Sequence, residues 1–160
     1  MIPAELPISE EEWVALVRSV ASWGDRAESR AIELKGGDLK PSSKEGAAKV
    51  ARFVLGAANR KPPEEGDVLD GFAIMLIGVE SDGTLSGAAA VETHEVTRLV
   101  TRYVGDEPRW SLKWISVDES TAVLAVVVRP SRAGDPPFVA RADGVGISSG
   151  DVYVRRNGET

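Results

Sequence analysis

Residues 28–35 read Glu28-Ser29-Arg30-Ala31-Ile32-Glu33-Leu34-Lys35, or ESRAIELK. Written as a β-strand, this stretch sends alternate side chains to opposite faces. Ile32 and Leu34 then face one way, and Ala31, Glu33 and Lys35 the other. Glu28 precedes the alternating part, so its direction depends on where the strand begins. Such a strand has one apolar face for a core and one charged face. The charged face has two readings. It is what the wet side of any half-buried strand looks like. It is also the raw material of a metal-dependent phosphodiesterase site, an acid and a lysine two apart with a second acid nearby.

Upstream, Ser9-Glu10-Glu11-Glu12 is a helix start, with Ser9 as cap and Glu12 as its capping-box partner. Ile8 and Trp13 are spaced for a hydrophobic staple. Trp13, Leu16, Val17 and Val20 follow at helical spacing, and Gly24 is a natural stop. Downstream, Gly36-Gly37-Asp38 reads as a loop. Ser42 and Glu45 form a second capping-box pattern, opening a helix from about Lys44 to Ala58 that Asn59 can end. Residues 61–71 are polar and turn-rich.

The run Phe72–Val79, FAIMLIGV, suits a strand covered on both faces. A turn at Ser81-Asp82-Gly83-Thr84 leads to an expected partner strand at 85–91. A third helix is expected over Glu92–Val104. Strands are expected around Trp110–Trp114, at Ala122–Val128, at Phe138–Arg141 and at Asp151–Arg155. The order α-β-α-β-β-α-β-β-β-β predicts one α+β domain. It has a mixed, largely antiparallel sheet packed with about three helices. Residues 1–27 form an N-terminal helical segment of it, and 28–160 the body.

The length, 160 residues, suits one domain that buries roughly two thirds of its unfolded surface. There is no cysteine, so neither a disulfide framework nor a thiolate zinc site exists. His94, the one histidine, excludes a histidine cluster within one chain; it reads as a surface residue of the third helix. No apolar run reaches membrane-spanning length, and MIPAELPISEEE lacks the basic and apolar regions of a signal peptide, so a cytoplasmic protein of bacterial type is expected. The ending RRNGET suits a junction to a further module.

The net charge of -6 argues against a general polyanion binder. The charge is uneven, however. Residues 1–40 hold eight acids against five bases, while residues 129–156 hold five arginines against three aspartates. A basic face would have to be assembled by the fold. Gly36-Gly37 lacks the Gly-Lys-Ser/Thr of a P-loop, and Gly144-x-Gly146 lacks the helix of a dinucleotide fingerprint. Trp110 and Trp114 share one strand face and read as core.

Several segments together resemble the Schlafen-type AlbA-like domain. Glu28-Ser29 followed by Glu33-Leu34-Lys35 is similar to its ExxxxExK opening. Leu55–Asn59 (LGAAN) is similar to a helix ending in A-x-A-N. Leu76-Ile77-Gly78-Val79, then Asp82-Gly83 and Gly87, is similar to its IGV hairpin. Pro137, Tyr153-Val154-Arg155 and Gly158-Glu159-Thr160 are similar to its closing proline and YVR-x-G-x-T. The resemblance runs from Glu28 to Thr160. It departs from the pattern before the IGV strand, where Asp70-Gly71-Phe72-Ala73 stands in place of Gly-Gly.

The resemblance implies a DNA- or RNA-binding domain, often a regulatory or defence module. In animal Schlafen proteins related domains cleave RNA with three acids, which would be Glu28, Glu33 and, nearest to the third place, Glu80, with Asp82 as fallback. Three converging carboxylates would hold Mg²⁺ or Mn²⁺, the ion would activate water, and Lys35 would stabilise the transition state. For binding alone, Arg60, Arg141, Arg155 and Arg156 are the phosphate-contacting residues expected, since guanidinium forks match phosphate. Asn59 reads as a helix C-cap that could also line that face. Three functions follow: a nucleic-acid-binding module, a Mg- or Mn-dependent endoribonuclease using Glu28, Glu33 and Glu80, or a protein-interaction or oligomerisation domain that could form homo-oligomers.

Overall fold

The computed structural model describes residues 2–61, 63 and 67–155. Ile32–Lys35 (β1), Ala73–Ile77 (β2), Trp110–Ser116 (β3) and Ala122–Val128 (β4) form one sheet in the order β1-β2-β4-β3. The two longest apolar runs become its central strands. Every residue of β2 is buried, and so is all of β4 after Ala122. Strand β1 lies parallel to β2, whereas β2–β4 and β4–β3 are antiparallel. Parallel pairing of β1 and β2 needs a long crossover, and the helix Lys44–Ala58 (α2) supplies it.

The alternation in β1 decides what each side of the sheet carries. Ile32 and Leu34 sit opposite Ile74 and Leu76, and Glu33 and Lys35 opposite Met75 and Ile77. The first set packs with Trp13, Leu16, Val17 and Val20 of the helix Glu10–Trp23 (α1). Met75 and Ile77 pack instead with α2 and the helix Thr93–Val104 (α3). The result is a layer of α1, a mixed four-stranded sheet, and a layer of α2 and α3, a single-domain α+β fold. Trp110, Leu112 and Trp114 of β3 are half-buried against the α2–α3 layer. Ala31 precedes the strand and turns toward the α1 side, away from Glu33 and against the expected alternation.

The helix ends follow local chemistry with two corrections. Ser9 Oγ accepts the Glu12 N–H at 3.1 Å, as the pattern requires. Ile8, however, is 87% exposed and forms no staple; Leu6 packs on that core instead. Helix α2 is capped by Ser43, one residue later than expected. Its N–H and hydroxyl both donate to the Lys40 carbonyl, at 3.0 and 2.7 Å, and its Oγ accepts the Gly46 N–H at 2.9 Å. That turn takes the capping role from Ser42 and removes Glu45 from the box.

Three expected strands reduce to single bridges. Among the described residues Leu85 pairs only with Val79, and Val139 only with Val152. After Leu85 the backbone turns at Gly87, φ 77°, and Ala88 donates to the carbonyl of Ala122. The closing segment 152–155 keeps its alternation without a ladder. Val152 and Val154 are exposed, Arg155 is buried, and the Arg155 N–H donates to Gly56 O in α2 at 3.2 Å. Among the described residues no helix is long and apolar enough to cross a membrane.

Candidate functional site

Strand β1 is an edge strand, and an edge leaves backbone groups to be satisfied or covered. The residues just before it do this. Glu28 ends a short 3₁₀ turn, Gly24–Ala27, and its Oε1 accepts the Leu34 N–H at 3.0 Å. Ser29 N–H donates to Ile32 O at 2.9 Å, and Ser29 Oγ accepts the N–H groups of Ala31 and Ile32. Glu28 is thus the cap of a strand edge.

Glu33 is committed differently. Its side chain is 7% exposed, and Oε1 accepts from Arg155 Nη1 at 2.7 Å. The Arg155 side chain has no exposed surface. Its Nε donates to Arg30 O, and its Nη2 donates to the carbonyls of Ser29 and Ile32, both at 2.8 Å. The guanidinium lies 5.0 Å from the centre of the Phe53 ring of α2. Arg155 therefore ties the closing segment, α2 and the outer edge of β1 into one joint.

Arg60 belongs to the same corner. It donates to the carbonyls of Ala57, Arg30 and Gly71. Burial, together with the nearby Arg30 and Arg155 charges, lowers its pKa to about 10, although Asp67 opposes the shift. Asn59 completes the joint. Its Nδ2 donates to Phe138 O and Tyr153 O at 2.8 and 2.9 Å, and its Oδ1 accepts the Phe138 N–H at 2.7 Å. It ends α2 as expected, and its amide also stands in for a backbone partner of two closing segments.

Glu80 follows β2 and reaches the loop after β1. Its Oε1 accepts the Gly37 N–H at 3.3 Å. A Cβ on Gly36 would lie 2.2 Å from Glu80 Oε2, so the glycine makes room for the carboxylate. Glu28, Glu33 and Glu80 thus hold a strand edge, an arginine and a loop. Among the described residues no group of three His, Cys, Asp or Glu side chains could hold a metal ion. The three acids do not fit the Mg²⁺ or Mn²⁺ site that the resemblance implies, and no cleavage step can be routed through one.

Among the described residues the expected arginine face is not assembled either. Arg60 and Arg155 are brought together, but their donors are engaged by backbone carbonyls and by Glu33. Arg141 is exposed at the end of α3, 3.2 Å from Glu107, and its N–H donates to Tyr103 O. Arg156 and the ending Gly158-Glu159-Thr160 lie outside the described residues. His94 is exposed, 3.7 Å from Glu92.

Among the described residues two predicted site residues open onto clefts: Arg60 lines one with Asn59, Arg132 and Asp135, and Lys35 lines another. With Lys40 and Lys49, Lys35 lines a groove of about 430 Å³ between the end of β1 and the first turns of α2. Four of the six lysines in the sequence, Lys35, Lys40, Lys44 and Lys49, lie within fifteen residues. The acids in the groove wall are Asp38 and Glu45, and Glu45 is 3.7 Å from Lys49. Lys35 is 3.9 Å from Glu33 and 39% exposed. Gly46 also lines the groove, where a Cβ would run into the Lys40 carbonyl. The lysine spacing was available in the sequence. What hid it was that Lys40 and Lys49 belong to a loop and a helix face, which only the turn at Ser43 brings round to Lys35.

No family model, no curated protein and no solved structure matches the chain.

Proposed function

We propose that this chain is a nucleic-acid-binding module that holds the phosphate backbone without cutting it. The observation that carries this reading is the groove lined by Lys35, Lys40 and Lys49. Three lysines lining one cleft suit phosphate oxygens, and lysine serves as a point charge where no planar fork is needed. The resemblance to an AlbA-like domain supports the same ligand class. On a chain of net charge -6 such contacts are local, so binding is weak at high salt. The cleaving alternative loses its support because the three acids do not converge. A cytoplasmic setting, where RNA and DNA are at hand, belongs to the same proposal.

The test is a map of the contact face. Amide signals of the ¹⁵N-labelled protein are followed while a short single-stranded DNA or RNA is added at low salt. The shifts are expected in residues 35–49 and absent around Arg141. Shifts centred on Arg141, or none with any oligonucleotide, would reject the reading.

A further inference from the structure

Glu33 meets the groove through Lys35, and its two oxygens do different things. Oε1 accepts from Arg155 Nη1 at 2.7 Å, while Oε2 stands 3.9 Å from Lys35 Nζ. The second distance is an ionic contact, longer than a hydrogen bond. Lys35 keeps its three N–H donors for another acceptor, yet feels a carboxylate next to it. That carboxylate is rigidly placed. Arg155 is itself fixed by Ser29, Arg30 and Ile32 carbonyls, and neither its side chain nor that of Glu33 is solvated enough to move freely.

We propose that Glu33, clamped by Arg155, is a positioning residue that sets how strongly Lys35 attracts phosphate. This rests on the groove reading above. Arg155 takes up much of the Glu33 charge and leaves Lys35 partly neutralised. A phosphate entering the groove competes with Oε2 for the ammonium. The pair therefore holds the groove at moderate affinity, so that the ligand is readily exchanged. A residue that looks like a metal-binding acid in the sequence then acts by damping a neighbouring cation.

The experiment measures affinity for a fluorescent oligonucleotide at low salt by anisotropy, using the whole chain. Glu33→Gln keeps the shape of the side chain and removes its charge. It is expected to tighten binding about three- to tenfold and to steepen the salt dependence. In a Lys35→Gln background the same change is expected to do nothing, because the gain passes through Lys35. Unchanged or weaker binding by folded Glu33→Gln, with the unmutated protein still binding, would overturn the inference and leave the groove reading intact. Failure of every form to bind would overturn the groove reading itself.

A second measurement needs no variant. The carboxyl ¹³C signal of Glu33 in the unmutated protein is expected to shift when oligonucleotide is added, as Lys35 turns to phosphate. A Glu33 signal that stays fixed while Lys35 responds would also overturn the inference.

Discussion

Arg155 joins three parts of the chain through one guanidinium, and the consequences are specific. Removing the cation while leaving Glu33 buried strands a charge. Such losses cost about 3–5 kcal/mol, far more than an exposed ion pair is worth. Arg155→Met is therefore expected to lower unfolding free energy by about that amount in urea titrations. A loss below 1 kcal/mol would contradict a buried clamp. Asn59 makes a parallel case, since its amide serves two carbonyls and one N–H. Asn59→Ala is expected to cost about 2–3 kcal/mol, because each buried polar group left unpaired is expensive. Asn59→Asp is expected to do no better, as a carboxylate offers no donor to Phe138 O and Tyr153 O.

At the scale of elements, the loop after β1 packs tightly against the segment that follows β2. A Cβ on Gly37 would lie 2.2 Å from the Gly87 carbonyl oxygen, a backbone atom that cannot swing aside. At Gly36 the obstacle is the end of the Glu80 side chain, which can. Gly37→Ala is thus expected to destabilise by about 1–3 kcal/mol and Gly36→Ala by less, in the same urea titrations. Equal effects would count against this packing.

The elements with strong periodicity or long apolar runs were legible. The three helices, β2, β4 and the two faces of β1 all follow from side-chain spacing, and Ser9 and Gly24 mark the ends of α1. Three short strands were not. The pattern at 85–91, 138–141 and 151–155 shows an extended chain, but pairing depends on partners that local sequence does not reveal. Arg155 shows the same limit. Arg155 alternates with the exposed Val152 and Val154, but nothing local indicated that its face was the inside. The groove was hidden for the complementary reason. Lys40 and Lys49 sit in different elements, and the turn that unites them depends on Ser43, not Ser42, as cap.

For the whole molecule, two hydrogen-bonded carboxylates make stability depend on pH. The Thr84 side chain and N–H hold the Asp82 carboxyl below the ordinary aspartate range. The Ser120 N–H and hydroxyl, then those of Thr121, do the same for Asp118. A carboxyl whose folded pKa is depressed stabilises the fold above its unfolded value, about 3.9, and this is lost as pH falls through the folded pKa. The melting temperature is therefore expected to drop as pH is lowered below about 4, and the Asp82→Asn/Asp118→Asn variant to drop less over that window. Thermal melts between about pH 6 and pH 3 check this, and parallel curves would contradict it.

The groove is the other charge-dependent feature and the centre of the functional reading. Its most direct test is oligonucleotide affinity as a function of salt, for the unmutated chain and for Lys35→Gln/Lys40→Gln/Lys49→Gln. Three lysine–phosphate contacts give an expected slope of log K against log salt of about -2 to -3. The triple variant is expected to lose measurable binding even at low salt. A triple variant that binds as tightly as the unmutated chain, with the same slope, would contradict the assignment of this groove to nucleic acid.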